Sequence, residues 1–531
     1  MSHEIELKLA LPKRALPALR RHPLVAAAEK CGNALTLDNT YFDTPKLQLK
    51  ARKVAVRTRR QGRQMLQTVK CAAVSSGGLS QRPEWETAWT GDFDFSPVDD
   101  PATARLLERH RDELVPVFTT RFRRETRRLV PQEGVSILLM IDTGAVHVRT
   151  PEGVEREAEI CELELELESG RAQDLLDLAC ALAQDLPLMP ADLSKAERGY
   201  RLFLDTPAGA LRAEASTLEP GHNVVEAFRT LALSCVRQWQ GNAATALAQG
   251  DPDAIDPDNI HQLRVAHRRL RALLKIFAPA LPETFAGTWN ARLRDNANRF
   301  GDARDLDVFH AELLEPVTPE GLADAASMAA LLETVRMARA AARHHAGVSL
   351  DLATQGRLLL EFTAALHRLR ADSLAEAADL RSFARLRLDR LRKRARRGAQ
   401  AAASLEPTRL HALRIDFKLL RYGVEFFAPL FGAKGIARYL DGLVRAQTTL
   451  GFLQDVDSAL QRLAEWSRTQ PEVAPAAAFV LGWHAPRYAR LRRRVLRESE
   501  PLLWGDKPWR GGPPHRPRGR PPSSCCNRRI R

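Results

Sequence analysis

The sequence has few cysteines, few aromatics and no long apolar run. Its seven cysteines are scattered over 531 residues, with Cys525 and Cys526 adjacent and no C-x-x-C pair. An odd number without framework spacing excludes a disulfide-stapled fold and reads as free thiols in a reducing cytoplasm. No stretch approaches the ~18 uninterrupted apolar residues of a membrane span. The N-terminus opens on charge, where a secretion signal has an apolar core. A cytoplasmic protein without a membrane partner is therefore expected. Aromatics make up 6%, few for a protein that reads single-stranded bases by stacking. The phosphate-cradling pattern G-x-x-x-x-G-K-[ST] is absent, which argues against a P-loop ATPase.

Positive charge is abundant. Eighty Lys and Arg against 65 Asp and Glu give a formal net charge of +15, so polyanionic partners are expected. The length accommodates roughly two to four domains. Residues 1–205 alternate short β-type runs with Gly, Pro and Asp turns. Candidate strands are 3–10, 38–43, 53–60, 64–71, 82–89, 122–130, 136–142, 145–149 and 158–168, with helical runs near 13–21 and 171–185. Such spacing suggests a meander closed into a barrel. Residues 206–221 read as an Ala/Pro/Gly-rich linker. Residues 222–500 turn to Ala, Leu and Arg at period 3.6 and predict an all-α half. The stretch 501–531, rich in Pro, Gly and Arg from Gly505 onward, is expected to be a disordered tail. The fold class is thus α+β with an antiparallel barrel first and a helical bundle second.

Within the first half, charge repeats on one strand face. Glu4, Glu6 and Lys8 alternate with Ile5, Leu7 and Leu9. Glu162, Glu164, Glu166 and Glu168 alternate with Leu163, Leu165 and Leu167. Like charges so close repel unless cations sit among them. Arg57 and Arg59, Lys70, Arg124 and Lys195 supply cations from other segments. A solvated outer face explains any one of these strands. All of them together suit a barrel whose apolar faces pack against helices and whose charged faces line the lumen. Carboxylates suit hard Mg²⁺ or Mn²⁺, and Arg forks suit phosphate oxygens.

The helical half repeats itself. His261, Arg264, Arg268 and Arg271 recur 150 residues later as His411, Arg414, Lys418 and Arg421, and Gly301, Asp305 and Asp307 as Gly451, Asp455 and Asp457. One offset across two motifs implies two copies of one helical unit. Each copy sets a basic stripe beside an apolar one, the pattern of a shared anion groove, and Arg385–Arg397 adds a third basic helix. No second ligand stands near either histidine at a regular short spacing, so zinc is not expected.

Taken in order, HEIELK, YFDTP (41–45), the R-x-R of 57–59, Lys70, RPEWE (82–86), Arg124, IDTG (141–144), ICELELELESG (160–170) and LSKAERGYR (193–201) resemble the CYTH superfamily, the triphosphate tunnel metalloenzymes. The helical half resembles the CHAD domain. The first resemblance implies an eight-stranded antiparallel tunnel. It implies metal binding by Glu4, Glu6, Glu162, Glu164 and Glu166, and triphosphate binding by Lys8, Arg57, Arg59, Lys70, Arg124 and Lys195. Glu84 and Glu86 fit the tunnel pattern. Arg121 departs from it, standing where related chains often carry an acid. The second resemblance implies inorganic polyphosphate held by His261, Arg264, Arg268, Arg271, His411, Arg414, Lys418 and Arg421. Together they imply a Mg²⁺- or Mn²⁺-dependent inorganic triphosphatase with a polyphosphate-binding domain, and nucleic acid is not an expected partner. The alternatives are a class IV-type adenylate cyclase, a thiamine triphosphatase, or a non-catalytic polyphosphate adaptor.

Overall fold

Period-2 alternation carries into eight long strands: β1 (Ser2–Ala10), β2 (Leu35–Asp43), β3 (Val54–Gln61), β4 (Gln64–Cys71), β5 (Leu79–Ala88), β6 (Val115–Gln132), β7 (Val135–Arg149) and β8 (Glu155–Ser169). The computed structural model describes residues 2–71, 75–150, 152–206, 208–219, 221–320, 324–370 and 379–510. All pairings are antiparallel, in the order β1-β5-β4-β3-β2-β6-β7-β8, and β8 returns to β1. The sheet is therefore a closed barrel. Two-residue strands, Glu29–Lys30 and Met189–Pro190, add to β6 and β1.

The runs expected as separate strands at 136–142 and 145–149 are one strand, β7. Gly144 between them makes no turn. It pairs with Phe122 of β6, and a Cβ there would stand 2.2 Å from the Arg121 carbonyl oxygen. The glycine is needed for backbone approach, which a sequence reads as a break.

Outward, Leu7, Leu9, Ile137, Leu139, Leu163 and Leu165 are fully buried beneath α1 (Ala172–Asp185), which contributes Leu175, Leu176 and Leu182. Each such side chain stabilises by about 1.5–3 kcal/mol. With that face apolar, the alternate positions of β1 and β8 must turn into the lumen. A short helix, α2 (Lys195–Phe203), N-capped by Ser194, follows at one end of the barrel.

The second half comprises α3 (Val224–Ala248), α4 (Pro257–Phe277), α5 (Glu283–Asn298), α6 (Gly301–Val308), α7 (Ala325–Ser349), α8 (Leu352–Arg368), α9 (Leu380–Ala401), α10 (Pro407–Phe427), α11 (Ala433–Thr469) and α12 (Ala474–Trp504). The repeat is visible in α4 and α10. Both have 21 residues, both start on Pro at the first helical position, and both run into a short 3₁₀ turn. Phe277 and Phe427, mates in the repeat, are fully buried with ring centroids 5.4 Å apart. The copies then diverge. The first breaks at Phe300 between α5 and α6, while the second continues unbroken through α11.

The segment expected as a disordered tail begins in packed structure. Trp509 is fully buried, and its indole Nε1 donates to Asp389 at 2.9 Å. Arg385 donates to the Trp509 carbonyl, and Arg392 to those of Leu502 and Gly505. One large aromatic outweighed the Pro/Gly composition around it. Residues 511–531, with Cys525 and Cys526, lie outside the described residues.

Candidate functional site

The barrel encloses a cavity of about 920 Å³ lined by ionised side chains from nearly every strand. Glu4, Glu6 and Lys8 reach it from β1 and Glu164 and Glu166 from β8; Lys70, Glu84 and Glu86 line the adjoining wall. Arg57 and Arg59 stand on β3, across the barrel from β1, with Arg124 on β6 and Lys195 at the start of α2.

Charge inside the cavity is unevenly matched. Asp142, Glu162 and Glu164 form a buried carboxylate cluster able to hold a metal ion. They come together because Arg124, Asp142 and Glu162 are in register across β6, β7 and β8, and Lys8 pairs with Glu164. Cations already fill this cluster. The Lys195 ammonium contacts Asp142 at 2.7 Å, Glu164 at 3.0 Å and also Glu162. Arg124 forks onto Asp142 at 2.7 and 2.6 Å and also reaches Glu164, and Arg198 pairs with Glu162. Three carboxylates thus face four cations, Lys8 standing 4.0 Å from Glu164. Lys195, Arg124 and Lys8 hold the Glu164 carboxyl well below its ordinary range against the cost of burial.

Further along β1 the balance reverses. Burial together with Glu4 and Glu6 pushes the Glu166 carboxyl up to about 7, despite Lys70 nearby. Glu4 pairs with Lys70 at 3.0 Å and Glu6 with Lys8, so the excess negative charge of this patch sits at Glu166. On the opposite wall burial, Arg57 and Arg124 push Arg59 down to about 10, which marks surplus positive charge. Arg59 donates to Asn39 at 2.8 Å, and the Arg57 Nε is buried without a partner.

A second cavity, a groove of about 1800 Å³, lies between the repeats of the helical half. His261, Arg264, Arg268, His411, Arg414, Lys418 and Arg421 line it. Gly301 and Gly451 serve the same end in each copy. A Cβ would stand 3.3 Å from the Arg264 guanidinium at Gly301 and 3.9 Å from that of Arg414 at Gly451, so glycine lets the guanidinium lie close to the neighbouring helix. His261 Nδ1 and the Nε atoms of Arg264, Arg268 and Arg414 are buried without partners. Burial, Arg414 and Arg268 push the Lys418 ammonium down to about 7. Carboxylates line the groove as well, Asp305 at 3.9 Å from Arg264 and Glu425 at 2.6 Å from Arg421, yet they leave those buried donors unpartnered.

Two expectations for the groove fail. Arg271 is turned away and donates to Asn290 of α5 at 3.3 Å. The basic run 385–397 does not line the groove either; Arg387 donates to the carbonyls of Lys275 and Ile276, capping α4, and Arg394 pairs with Asp416. Arg387 thus completes a helix C-terminus, where a cation is favourable, and Arg394 is held by a carboxylate in the middle of α10.

Residues 2–200 match the CYTH domain and residues 230–464 the CHAD domain. The chain carries a CYTH domain followed by a CHAD domain. It is 31% identical over 208 residues to an inorganic triphosphatase of Haemophilus influenzae; the match covers 38% of this chain and 55% of that relative, so the chain spans little more than half of its length. Among solved structures it is similar to the CHAD domain of the plant Ricinus communis, with 27% identity over 56% of this chain and 98% of that one and a TM-score of 0.45. It is also similar to PptA from Streptomyces chartreusis, with 21% identity over 53% of this chain and 95% of that one and a TM-score of 0.37.

Within the CYTH domain, the structure brings Glu4, Glu6, Lys8, Arg57, Arg59, Lys70, Arg124, Glu164, Glu166 and Lys195 to one cavity. Glu162 is not among its lining residues; it lies buried against Lys195 and Arg198. Asp142 was missed by the sequence reading. It stands just before Gly144 in IDTG, where a turn was expected; only the pairing of β7 with β8 sets it opposite Glu162. Arg121 points outward, 71% exposed and paired with Asp38, which agrees with leaving it out of the site.

Proposed function

We propose that the CYTH domain hydrolyses inorganic triphosphate to pyrophosphate and phosphate with Mg²⁺ or Mn²⁺, and that the CHAD domain binds inorganic polyphosphate. One observation supports the first part: a single cavity gathers Glu4, Glu6, Glu164 and Glu166 with Lys8, Arg57, Arg59 and Lys70, and within it the Glu166 carboxyl is pushed up and the Arg59 guanidinium pushed down. A ligand that brings a divalent cation and a phosphate chain together balances both.

The donor set fits a metal. Glu4, Glu6 and Glu166 offer hard oxygens, and the raised Glu166 carboxyl marks a place where a cation lowers the energy. Glu166, with Glu4 and Glu6 that each face one lysine, would hold it; Asp142, Glu162 and Glu164 are already held by Lys195, Arg124 and Arg198. Bound there, the metal supplies a Lewis acid and an acidified water. The rest falls to the chain. The transition state of phosphoryl transfer spreads charge over equatorial oxygens, so catalysis is mainly positioning and electrostatics. Arg57, Arg59 and Arg124 would orient the phosphate chain by charge-assisted hydrogen bonds, and Lys8, Lys70 and Lys195 would offset its charge. Lys8, Arg57 and Lys195 are buried in the barrel wall, which strengthens their interactions relative to water.

The deciding assay offers triphosphate, ATP and thiamine triphosphate, each with and without Mg²⁺. Metal-dependent release of phosphate from triphosphate, well above the other two, is expected. Cyclic AMP from ATP, or preference for thiamine triphosphate, overturns the substrate assignment, and no turnover of any leaves a binding protein. For the groove, Arg264→Glu with Arg414→Glu should weaken polyphosphate binding by at least a hundredfold. Binding should also fall linearly with log salt, because Lys and Arg contacts release condensed counterions. Unchanged affinity in the double variant would make the positive charge a general surface property.

A further inference from the structure

The lysines that line the tunnel are not engaged alike. Lys8 pairs with Glu6 and stands 4.0 Å from Glu164, and Lys70 pairs with Glu4 at 3.0 Å and Glu84 at 2.6 Å. Lys195 is held by Asp142, Glu162 and Glu164. Two further lysines line the same cavity, Lys50 and Lys53. Both are exposed, and among the described residues neither pairs with a carboxylate.

Lys53 extends a row of cations. It stands just before β3, and Lys53, Ala55, Arg57 and Arg59 all line the cavity at period 2. At ~3.3 Å per residue, Lys53 lies about 13 Å along the strand from Arg57, at the end where the cavity meets solvent. It holds that place with φ +58°, a left-handed backbone that residues other than glycine adopt at a cost. Its N–H donates to the Lys50 carbonyl at 2.9 Å, so one turn carries both ammonium groups.

The turn is held firmly. Asp43 is fully buried, and its carboxylate accepts from the N–H groups of Thr44 at 2.7 Å, Leu49 at 2.9 Å and Lys50 at 2.9 Å. It also accepts from the Tyr200 hydroxyl of α2 at 2.8 Å, and the Lys50 ammonium lies 6.0 Å from the centre of the Tyr200 ring. The turn and α2 are thus fixed against each other. Carboxylates that line the cavity from α2 and the chain before it are occupied: Glu197 pairs with Arg201 at 3.7 Å, and Asp192 accepts from the Ser75 hydroxyl at 2.6 Å and the Gly78 N–H at 2.9 Å. The cavity of about 920 Å³ has the liquid volume of roughly thirty waters, more than the ~13 non-hydrogen atoms of a triphosphate fill.

We infer that Lys50 and Lys53 form an outer phosphate subsite at the tunnel opening, which makes linear polyphosphates longer than triphosphate, tetraphosphate among them, the better substrates. This rests on the triphosphatase reading above. A chain whose inner phosphates lie at Arg57 and Arg59 runs outward along the same row and meets the two unpaired ammonium groups. The reaction is unchanged in kind. Water adds to the terminal phosphorus, the P–O–P bridge to it breaks with the electron pair left on the departing oxygen, and the water's proton passes to solvent. Tetraphosphate gives triphosphate and phosphate.

The test measures KM for triphosphate and for tetraphosphate on the full-length protein, with saturating Mg²⁺ and fixed ionic strength. Wild type should show a KM about tenfold lower for tetraphosphate, the gain from one more charge-assisted contact. Lys50→Gln combined with Lys53→Asn removes both charges, and Asn accepts the left-handed backbone readily. This variant should erase the difference by raising KM for tetraphosphate to that for triphosphate. Lys50→Arg with Lys53→Arg keeps the charges and should retain a preference of at least threefold. A wild-type KM for tetraphosphate equal to or above that for triphosphate overturns the inference. So does a neutral variant that raises both KM values by the same factor, since the lysines would then attract any anion without holding a fourth phosphate. An Arg variant as impaired as the neutral one overturns it too, because charge would not be what acts. A wild-type protein that turns over neither substrate defeats the triphosphatase reading instead, and that control tells the two failures apart.

Discussion

Glu162 and Glu166 look alike in the sequence, two members of one CELELELE strand, and the fold gives them different work. Both were expected as metal ligands because alternation alone turns them to the same face. What alternation does not show is depth along the barrel. Glu162 sits level with Asp142 and is held by Lys195 and Arg198, whereas Glu166 sits level with Glu6 and meets carboxylates. Glu166→Gln should therefore raise the Mg²⁺ concentration for half-maximal hydrolysis by at least tenfold with little change in melting temperature. Glu162→Gln should leave that Mg²⁺ requirement near wild type and cost about 3 kcal/mol of stability, since it strips a partner from buried cations. Mg²⁺ titration of activity beside urea denaturation checks both, and equal shifts in Mg²⁺ requirement would return Glu162 to the ligand set. The cationic side of the site was more legible: Arg57, Arg59 and Arg124 all reach the cavity, because Arg at period 2 in a strand with one apolar face has only the lumen to enter. Arg57→Ala and Arg59→Ala should each lower kcat/KM by about ten- to a hundredfold, the range for a lost charge-assisted hydrogen bond.

The barrel strands were readable from their period, and α4 and α10 from their 150-residue repeat, down to matching Pro starts and Phe ends. Less readable was which neighbour would cover each basic stripe. Arg271 and the 385–397 run show the same spacing as the groove residues, yet they were claimed by Asn290 and by helix C-termini. Charge on a helix face records exposure to something polar, and backbone carbonyls qualify as well as phosphates. In the groove itself, Lys418 sets a pH dependence. Burial, Arg414 and Arg268 place its ammonium near 7 in the free protein. A bound polyanion favours the charged form and so raises that value. The Lys418 contribution to binding is then fully present below about 7 and is lost as pH rises through the higher bound value. Polyphosphate affinity, measured from pH 6 to 9 at fixed salt, should fall across this window. Lys418→Met should bind more weakly at pH 6 and show a flatter profile, and Lys418→Arg should keep the charge and remove the slope. A wild-type profile flat across that range would place Lys418 away from the bound anion.

At the scale of the molecule, residues 206–221 read as a linker between the two halves, yet the packing joins them. Helix α8 belongs to the helical half by sequence, yet its Leu360 and Ala364 are fully buried in the core beneath the barrel, beside Leu7, Leu163 and Leu182. A Cβ on Gly356 of the same helix would stand 1.7 Å from the Leu188 carbonyl oxygen, so the helix lies directly on the chain leaving the barrel. Arg368 pairs with Asp177 of α1, and Gln184 donates to Glu361 at 3.2 Å. A hydrophobic core shared across a boundary couples the two sides, because neither can unfold without exposing the other's apolar surface. Far-ultraviolet circular dichroism, dominated by the helical half, and loss of triphosphate hydrolysis, which reports the barrel, should therefore trace one coincident urea transition. Leu360→Ala should destabilise that single transition by about 2–5 kcal/mol, the cost of a buried Leu truncated where neighbours cannot collapse. It should also lower the denaturant midpoint for loss of triphosphate hydrolysis, although Leu360 lies in neither cavity. Two separated transitions, or a Leu360→Ala variant whose hydrolysis midpoint is unmoved while its helical signal melts early, would mean that the halves fold as separate units and that the shared core carries little energy.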